Sequence, residues 1–157
     1  MTYKVIKDKI IKAYKLLLKN DGYLFIAEAN ERSITHKFAE YLQLEFLEYN
    51  VDCEYNRNGL DIKKLDSFKK NIMSDDIEAV SVFPDIIIHH RGTKNNFIVI
   101  EAKKSTNKGD DNKKLLLYKK DLGYKYAFAI QFLVAKKYEE YRDISLKDLV
   151  SGKKERN

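Results

Sequence analysis

The chain has 157 residues, of which 44% are hydrophobic and 12% aromatic, so it can form one domain with a real core. This composition excludes a disordered tail, a collagen-like repeat and a miniature scaffold held by disulfides. The 30 Lys and Arg residues outnumber the 24 Asp and Glu residues, and the net charge is +6. That charge points weakly to a polyanionic partner such as nucleic acid, and the alternative is an ordinary soluble surface.

The sequence also predicts the cellular compartment of the protein. No apolar run approaches the roughly 20 residues of a membrane helix, and the charged first 15 residues lack the apolar segment of a signal peptide. The single cysteine, Cys53, can form no internal disulfide and is interpreted as a core residue. We therefore expect a cytoplasmic protein without membrane contact. Residues 1–157 are predicted to form a single domain, with a frayed tail at 151–157.

Hydrophobic periodicity predicts the elements of the first half. Apolar residues at helical spacing predict one helix over residues 1–19 and a second over 30–49, which Asn30 can cap. Alternating residues predict a short strand over 51–55. Residues 60–73 are predicted to be helical or loop-like.

Two near-continuous apolar runs, residues 82–90 and 96–103, are typical of strands that are covered on both faces. Turn residues at 91–95 predict that these strands form an antiparallel hairpin. A helix over 111–122, a strand over 125–135 and one or two short C-terminal helices complete the prediction. This order predicts an α/β domain with helices packed on a mixed sheet.

Three charged residues stand out on the two apolar strands. Asp85 lies near the start of the first predicted strand, whereas Glu101 and Lys103 lie at the end of the second strand and share a face. A turn centred on Thr93 pairs residues whose numbers sum to 186, which places Asp85 opposite Glu101, roughly 4.5–5.5 Å away at Cβ. A turn centred between Thr93 and Lys94 would give Asp85 another partner, so this prediction depends on the register.

Two adjacent carboxylates at the end of a buried sheet repel each other unless one is protonated or a cation binds between them. Carboxylate oxygens are the ligands that Mg²⁺ or Mn²⁺ prefers. Lys103 could then orient or activate a water, or stabilise charge on a phosphate. The alternative is that Asp85 and Glu101 reach solvent at the strand ends and that Lys103 neutralises them.

Pro84-Asp85, followed by the hairpin and Glu101-Ala102-Lys103, resembles the signature of the PD-(D/E)XK nuclease superfamily. The resemblance implies a restriction-endonuclease-like core with the order αβββαβ, covering residues 31–135. The helix at 1–19 lies outside that core and is interpreted as an addition for dimerisation or DNA contact.

The same resemblance implies a Mg²⁺-dependent (or Mn²⁺-dependent) DNA endonuclease that acts as a homodimer. It assigns the metal to Asp85, Glu101 and the backbone carbonyl of Ala102, with Lys103 as the catalytic lysine. Many members carry a further glutamate on the first core helix.

Glu31 is the best candidate for that glutamate, because it lies three residues before Ile34 on the core-facing stripe. It could instead be a first-turn acid that favours the helix dipole, and Glu28 is a weaker substitute. His36 is not on that face of the helix. His89 and His90 are expected to lie too far from Asp85 to bind the same metal.

Four lysines that follow the motif and one arginine in the polar turn after the first strand are predicted to contact phosphates, although each could be a solvated surface residue. They are Arg57, Lys104, Lys108, Lys113 and Lys114. Two rival functions remain from the sequence. One is a catalytically silent DNA- or protein-binding module of the same fold, and the other is a metal-dependent nuclease that acts on RNA.

Overall fold

The computed structural model describes residues 1–58, 61–62, 83–106, 112–135 and 150–153. The helices are α1 (Tyr3–Asp21), α2 (Tyr23–Ile26), α3 (Glu31–Glu45) and α4 (Asn112–Leu122). The strands are β1 (Asn50–Cys53), β2 (Arg57–Asn58), β3 (Asp61–Ile62), β4 (Ile86–His89), β5 (Asn96–Lys104), β6 (Tyr126–Phe132) and β7 (Val150–Lys153).

Within the described residues, the main sheet contains five strands in the order β1-β4-β5-β6-β7, and β2 pairs separately with β3. β5 and β6 are parallel, whereas every other neighbouring pair is antiparallel. The connection between the two parallel strands contains α4, as a parallel crossover requires. The predicted α/β class, with a mixed sheet flanked by helices, is confirmed.

Side chains of the central strands alternate between two apolar cores. Ile86, Ile88 and Ile100 belong to the larger core, together with residues of α1, α2 and α3. Ile87 and Val99 point the other way, into a smaller core that α4 covers. Because both faces are covered, these strands appear in the sequence as continuous apolar runs.

The N-terminal helix α1 belongs to the larger core. Its residues Ile10, Tyr14 and Leu17 are fully buried, and the Tyr14 hydroxyl donates to the Gln131 carbonyl of β6 at 2.9 Å. The Tyr14 ring stacks on Phe132. The apolar side of α1 is therefore covered by the chain itself.

Several predicted boundaries were wrong. β4 begins at Ile86 rather than at residue 82, because Pro84 has no N–H for the ladder and Asp85 lies in a bend. α3 ends at Glu45, four residues before its predicted end, and β6 ends at Phe132 rather than at residue 135.

The predicted frayed tail at 151–157 was wrong for residues 151–153, since β7 (Val150–Lys153) pairs with β6, and residues 154–157 lie outside the described residues. The open edge of β6 accepts this antiparallel partner, although its sequence VSGK lacks a strand pattern. Within the predicted segment 60–73, residues 61–62 form β3, and residues 60 and 63–73 lie outside the described residues. So do the predicted helices after residue 135, within 136–149. Among the described residues, no helix combines the length and the apolar character needed to cross a membrane.

Candidate active site

The hairpin register places Asp85 beside Glu101. β4 and β5 pair Ile86 with Ile100, Ile87 with Val99 and Ile88 with Ile98, so that the numbers of paired residues sum to 186 as predicted. A bulge near the turn changes this sum only at His89. One step beyond Ile86, the same register brings Asp85 opposite Glu101. The Glu54 N–H donates to the Asp85 carbonyl at 3.2 Å and fixes its backbone from the other side.

Pro84 explains why the edge of β5 is open at this point. In the same register Pro84 would lie opposite Ala102, but proline has no N–H to donate to the Ala102 carbonyl. The Ala102 N–H donates instead to Asp85 Oδ2 at 2.8 Å. Because the N–H and C=O of one strand residue point to the same edge, the Ala102 carbonyl lies on the side of Asp85.

Glu31 occupies the next position along this edge. It begins α3, which Asn30 caps by accepting from the Ser33 N–H, and its Oε2 accepts from the Lys104 N–H at 2.8 Å. Since Ala102 and Lys104 are two residues apart, their N–H groups are separated by about 7 Å. The carboxylates of Asp85 and Glu31 therefore flank the Ala102 carbonyl.

Glu101 lies on the α4 side of the sheet and its side chain is only 4% exposed. Its Oε2 accepts from the Lys114 ammonium at 2.6 Å. Its Oε1 is buried without a hydrogen-bond partner among the described residues. One oxygen of the carboxylate is thus held by Lys114, and the Tyr118 hydroxyl lies close enough to the carboxylate to lower its pKa.

The pKa values of Asp85 and Glu101 reflect the burial of both side chains. Burial raises the pKa of Glu101 to about 7, and the negative charge of Asp85 adds to this rise, whereas Lys114 opposes it. Burial also raises the pKa of Asp85, against the effect of the Ala102 N–H and of Lys114, while Glu31 adds to the rise. Keeping both carboxylates ionised in this buried position therefore costs free energy, and a bound cation would reduce that cost.

Lys103 shares the α4-facing side of β5 with Glu101, because the two residues are two positions apart in the strand. Its side chain is half-buried, and its strand partner in β6 is Gln131. The predicted residues Glu31, Asp85, Glu101, Ala102 and Lys103 therefore lie together at one end of β5.

A cleft of about 660 Å³ opens beside Asp85 and Glu31, between α3 and the segment after β1. Arg32 and Glu54 form an ion pair at 2.9 Å across it, and both side chains are substantially exposed. Phe83 lies at the rim with 51% of its surface exposed. The remaining described residues that line the cleft are Thr35, His36 and Cys53.

The predicted phosphate contacts occupy different environments. Lys104 directs its ammonium to the carbonyls of Glu28 and Ala29 at 3.1 Å, and Lys114 pairs with Glu101. Arg57 and Lys113 are exposed. Lys108 lies outside the described residues.

The histidines have contacts other than the carboxylate pair. His89 is buried at the hairpin end of β4, where its Nε2 contacts Asp52 Oδ2 at 2.8 Å and Arg91 bonds to the same carboxylate. His90 stacks on Tyr49. His36 forms an exposed ion pair with Glu40.

The donor set fits a hard divalent cation. Asp85, Glu101 Oε1 and the Ala102 carbonyl are oxygen donors, and the buried Oε1 has no hydrogen bond within the described part of the chain. In that part of the chain, no three Asp, Glu, His or Cys side chains form a complete ligand cluster. Mg²⁺ is commonly bound through one or two carboxylates, with waters and substrate phosphates completing its shell.

Comparisons of the chain with protein-family models, with curated proteins and with solved structures each gave no match. The functional inference therefore rests on the residues and on their geometry.

Two features of the site were missed from the sequence. The sequence predicts that Lys114 contacts phosphate, but its ammonium bonds to Glu101, and the buried Tyr118 lies one turn further along α4. Their spacing of four residues, in a helix whose Leu115 and Leu122 face the core, could have indicated that Lys114 lies near the sheet. The ion pair between Arg32 and Glu54 joins distant segments, and no local pattern reveals it.

Proposed function

We propose that this chain is a metal-dependent DNA endonuclease of the PD-(D/E)XK superfamily with a restriction-endonuclease-like fold. The observation that carries the proposal is the bond from the Ala102 N–H to Asp85, which holds the motif aspartate beside Glu101 at the open end of β5. The order α3, β1, β4, β5, α4, β6 supports it, since it is the order that the motif implies, with the β2–β3 ribbon inserted.

Each residue of the site has its own role in the proposed phosphodiester hydrolysis. Asp85, Glu101 and the Ala102 carbonyl would hold Mg²⁺ or Mn²⁺, which lowers the pKa of a water and stabilises the charge that develops on phosphate. Lys103, on the face of Glu101, orients the attacking water or stabilises that charge. Glu31 accepts from an N–H two residues further along β5 than the one that bonds to Asp85, and its carboxylate can there accept a hydrogen bond from a water.

The cleft gives the DNA backbone a route to these residues. It reaches Asp85 and Glu31 directly, and the exposed Arg32 and His36 lie at its side. The proposal includes a homodimer, because cutting a duplex requires attack on two strands. It also includes action in the cytoplasm.

The test is a cleavage assay on supercoiled, linear, branched and single-stranded DNA with Mg²⁺, Mn²⁺ or EDTA. Metal-dependent cutting is expected in the wild type and a loss of at least about a hundredfold in Asp85→Asn and Lys103→Met. Asp8→Asn and Lys120→Met remove the same charges from exposed positions and should cut normally. Undiminished cutting by Asp85→Asn would refute the site, and cutting of RNA alone would change the substrate class.

A second candidate function, a binding module that does not cut, is favoured by the ion pair between Lys114 and Glu101. This pair occupies one oxygen of a carboxylate that the nuclease needs. Tight DNA binding without cleavage of any substrate, in every metal, would support this alternative.

A further inference from the structure

Lys114 occupies an unusual position for a basic residue next to a proposed metal site. It lies in the first turn of α4 and extends toward the sheet, where its ammonium bonds to Glu101 Oε2 at 2.6 Å. The same ammonium lies 5.6 Å from the centre of the buried Tyr118 ring. Lys114 therefore points into the site and not out toward a ligand in solution.

The charge of Lys114 acts on both members of the carboxylate pair. It opposes the rise in the pKa of Glu101 and also the rise in that of Asp85. A buried carboxylate is costly without a compensating cation, and Lys114 supplies one. The ammonium thus provides in the metal-free protein part of the compensation that a divalent cation would provide.

The contact can break without disrupting the fold. The Lys114 side chain is 36% exposed, whereas that of Glu101 is 4% exposed. A lysine has a flexible four-carbon stem, so its ammonium can move into solvent while the backbone of α4 remains in place. Glu101, on a buried central strand, cannot move in the same way.

We propose that Lys114 is the resident counter-ion of the Asp85–Glu101 pair and that a divalent cation displaces its ammonium from Glu101. This inference rests on the proposed function. The displacement follows from charge, because a divalent ion beside the pair repels the ammonium and takes over its compensation of the carboxylates. Metal loading then moves the Lys114 ammonium toward the solvent side of α4.

Calorimetric titration of Mn²⁺ and Mg²⁺ tests the competition. Lys114→Met should bind the metal about fivefold or more tightly than the wild type, and it should have a lower melting temperature in EDTA because Glu101 loses its counter-ion. Lys120→Met, which removes the same charge from an exposed position on α4, should change neither quantity. Equal or weaker metal binding by Lys114→Met would overturn the proposal.

A second measurement uses the wild-type protein and does not depend on the folding of a variant. Lysine amines are labelled with an acylating reagent, and the rate at Lys114 is followed by mass spectrometry with and without Mg²⁺. Displacement predicts faster labelling of Lys114 with Mg²⁺ and an unchanged rate at Lys120. Protection of Lys114 by Mg²⁺ would overturn the proposal.

The outcome is separable from that of the proposed function. If the metal displaces Lys114 but no DNA is cut, the counter-ion role holds and the nuclease proposal fails. If DNA is cut but Lys114→Met binds metal no more tightly, the nuclease proposal holds and the counter-ion role fails.

Discussion

Glu101 is an ionisable side chain fixed in a position that favours its neutral form. Its pKa rises from an ordinary value of 4.5 to about 7, chiefly through burial and then through the charge of Asp85. A carboxyl group whose pKa is raised on folding stabilises the protein while it is protonated. Its contribution is complete below about pH 4.5 and is lost as the pH rises through about 7.

Glu101→Gln should remove this dependence, because the amide does not ionise. In EDTA, the free energy of unfolding of the wild type should fall relative to that of the variant by about 3 kcal/mol between pH 4.5 and 8. Urea unfolding at several pH values measures the difference. Glu48→Gln, at an exposed position, should follow the wild type. Parallel curves for Glu101→Gln and the wild type would contradict the assignment.

Among the elements, α1 contributes to the core that supports the site. Leu17 is fully buried in the larger core beneath the sheet, so Leu17→Ala should lower the free energy of unfolding by about 2–5 kcal/mol. Lys15→Ala, at an exposed position of the same helix, should change it by less than about 0.5 kcal/mol. Urea denaturation of both variants tests whether α1 is structural. Equal stabilities would show that α1 is a dispensable addition.

Some of the elements and contacts of this fold can be predicted from the sequence, and others cannot. The short turn between two apolar strands allowed two β4–β5 registers, and the structure has the one centred on Thr93 for the pairs from Ile86 to Ile88. Asp85, Glu101 and Lys103 followed from that register and the motif. β7 was not predictable, since its pairing depends on the open edge of β6, a long-range contact that VSGK does not encode locally. The contact between Lys114 and Glu101 likewise depends on how α4 packs on β5.

The ion pair between Arg32 and Glu54 joins the start of α3 to the end of β1 at the cleft. If DNA enters there, a backbone phosphate competes with Glu54 for the Arg32 guanidinium. Glu54→Gln should therefore raise the affinity for a short duplex by about threefold to tenfold in EDTA, and Arg32→Gln should lower it. Fluorescence anisotropy measures both. An equal gain in Glu48→Gln would attribute the effect to net charge alone.

For the whole molecule, the net charge of +6 is the sum of an acidic candidate site and an excess of lysine and arginine elsewhere. The candidate site concentrates carboxylates at the end of β5, so it repels DNA unless a cation is bound there. Under the proposed function, the lysine and arginine excess would attract the DNA backbone from other surfaces. The proposal therefore predicts that DNA binding and catalysis are separable, because binding would depend on the basic surface and catalysis on the acidic site.

That separation predicts how DNA binding responds to salt in EDTA. The logarithm of the affinity should fall linearly with the logarithm of the salt concentration, with a slope of about −0.9 for each phosphate contacted. Arg57→Gln and Lys113→Gln, at exposed positions proposed to contact phosphate, should each reduce the steepness by about one. Lys15→Gln, which removes the same charge from an exposed position on α1, should leave the slope unchanged.

Since Asp85→Asn removes a negative charge from the site, it should bind DNA in EDTA at least as tightly as the wild type. Weaker binding by Asp85→Asn would mean that this carboxylate contacts DNA directly and that binding and catalysis share one surface.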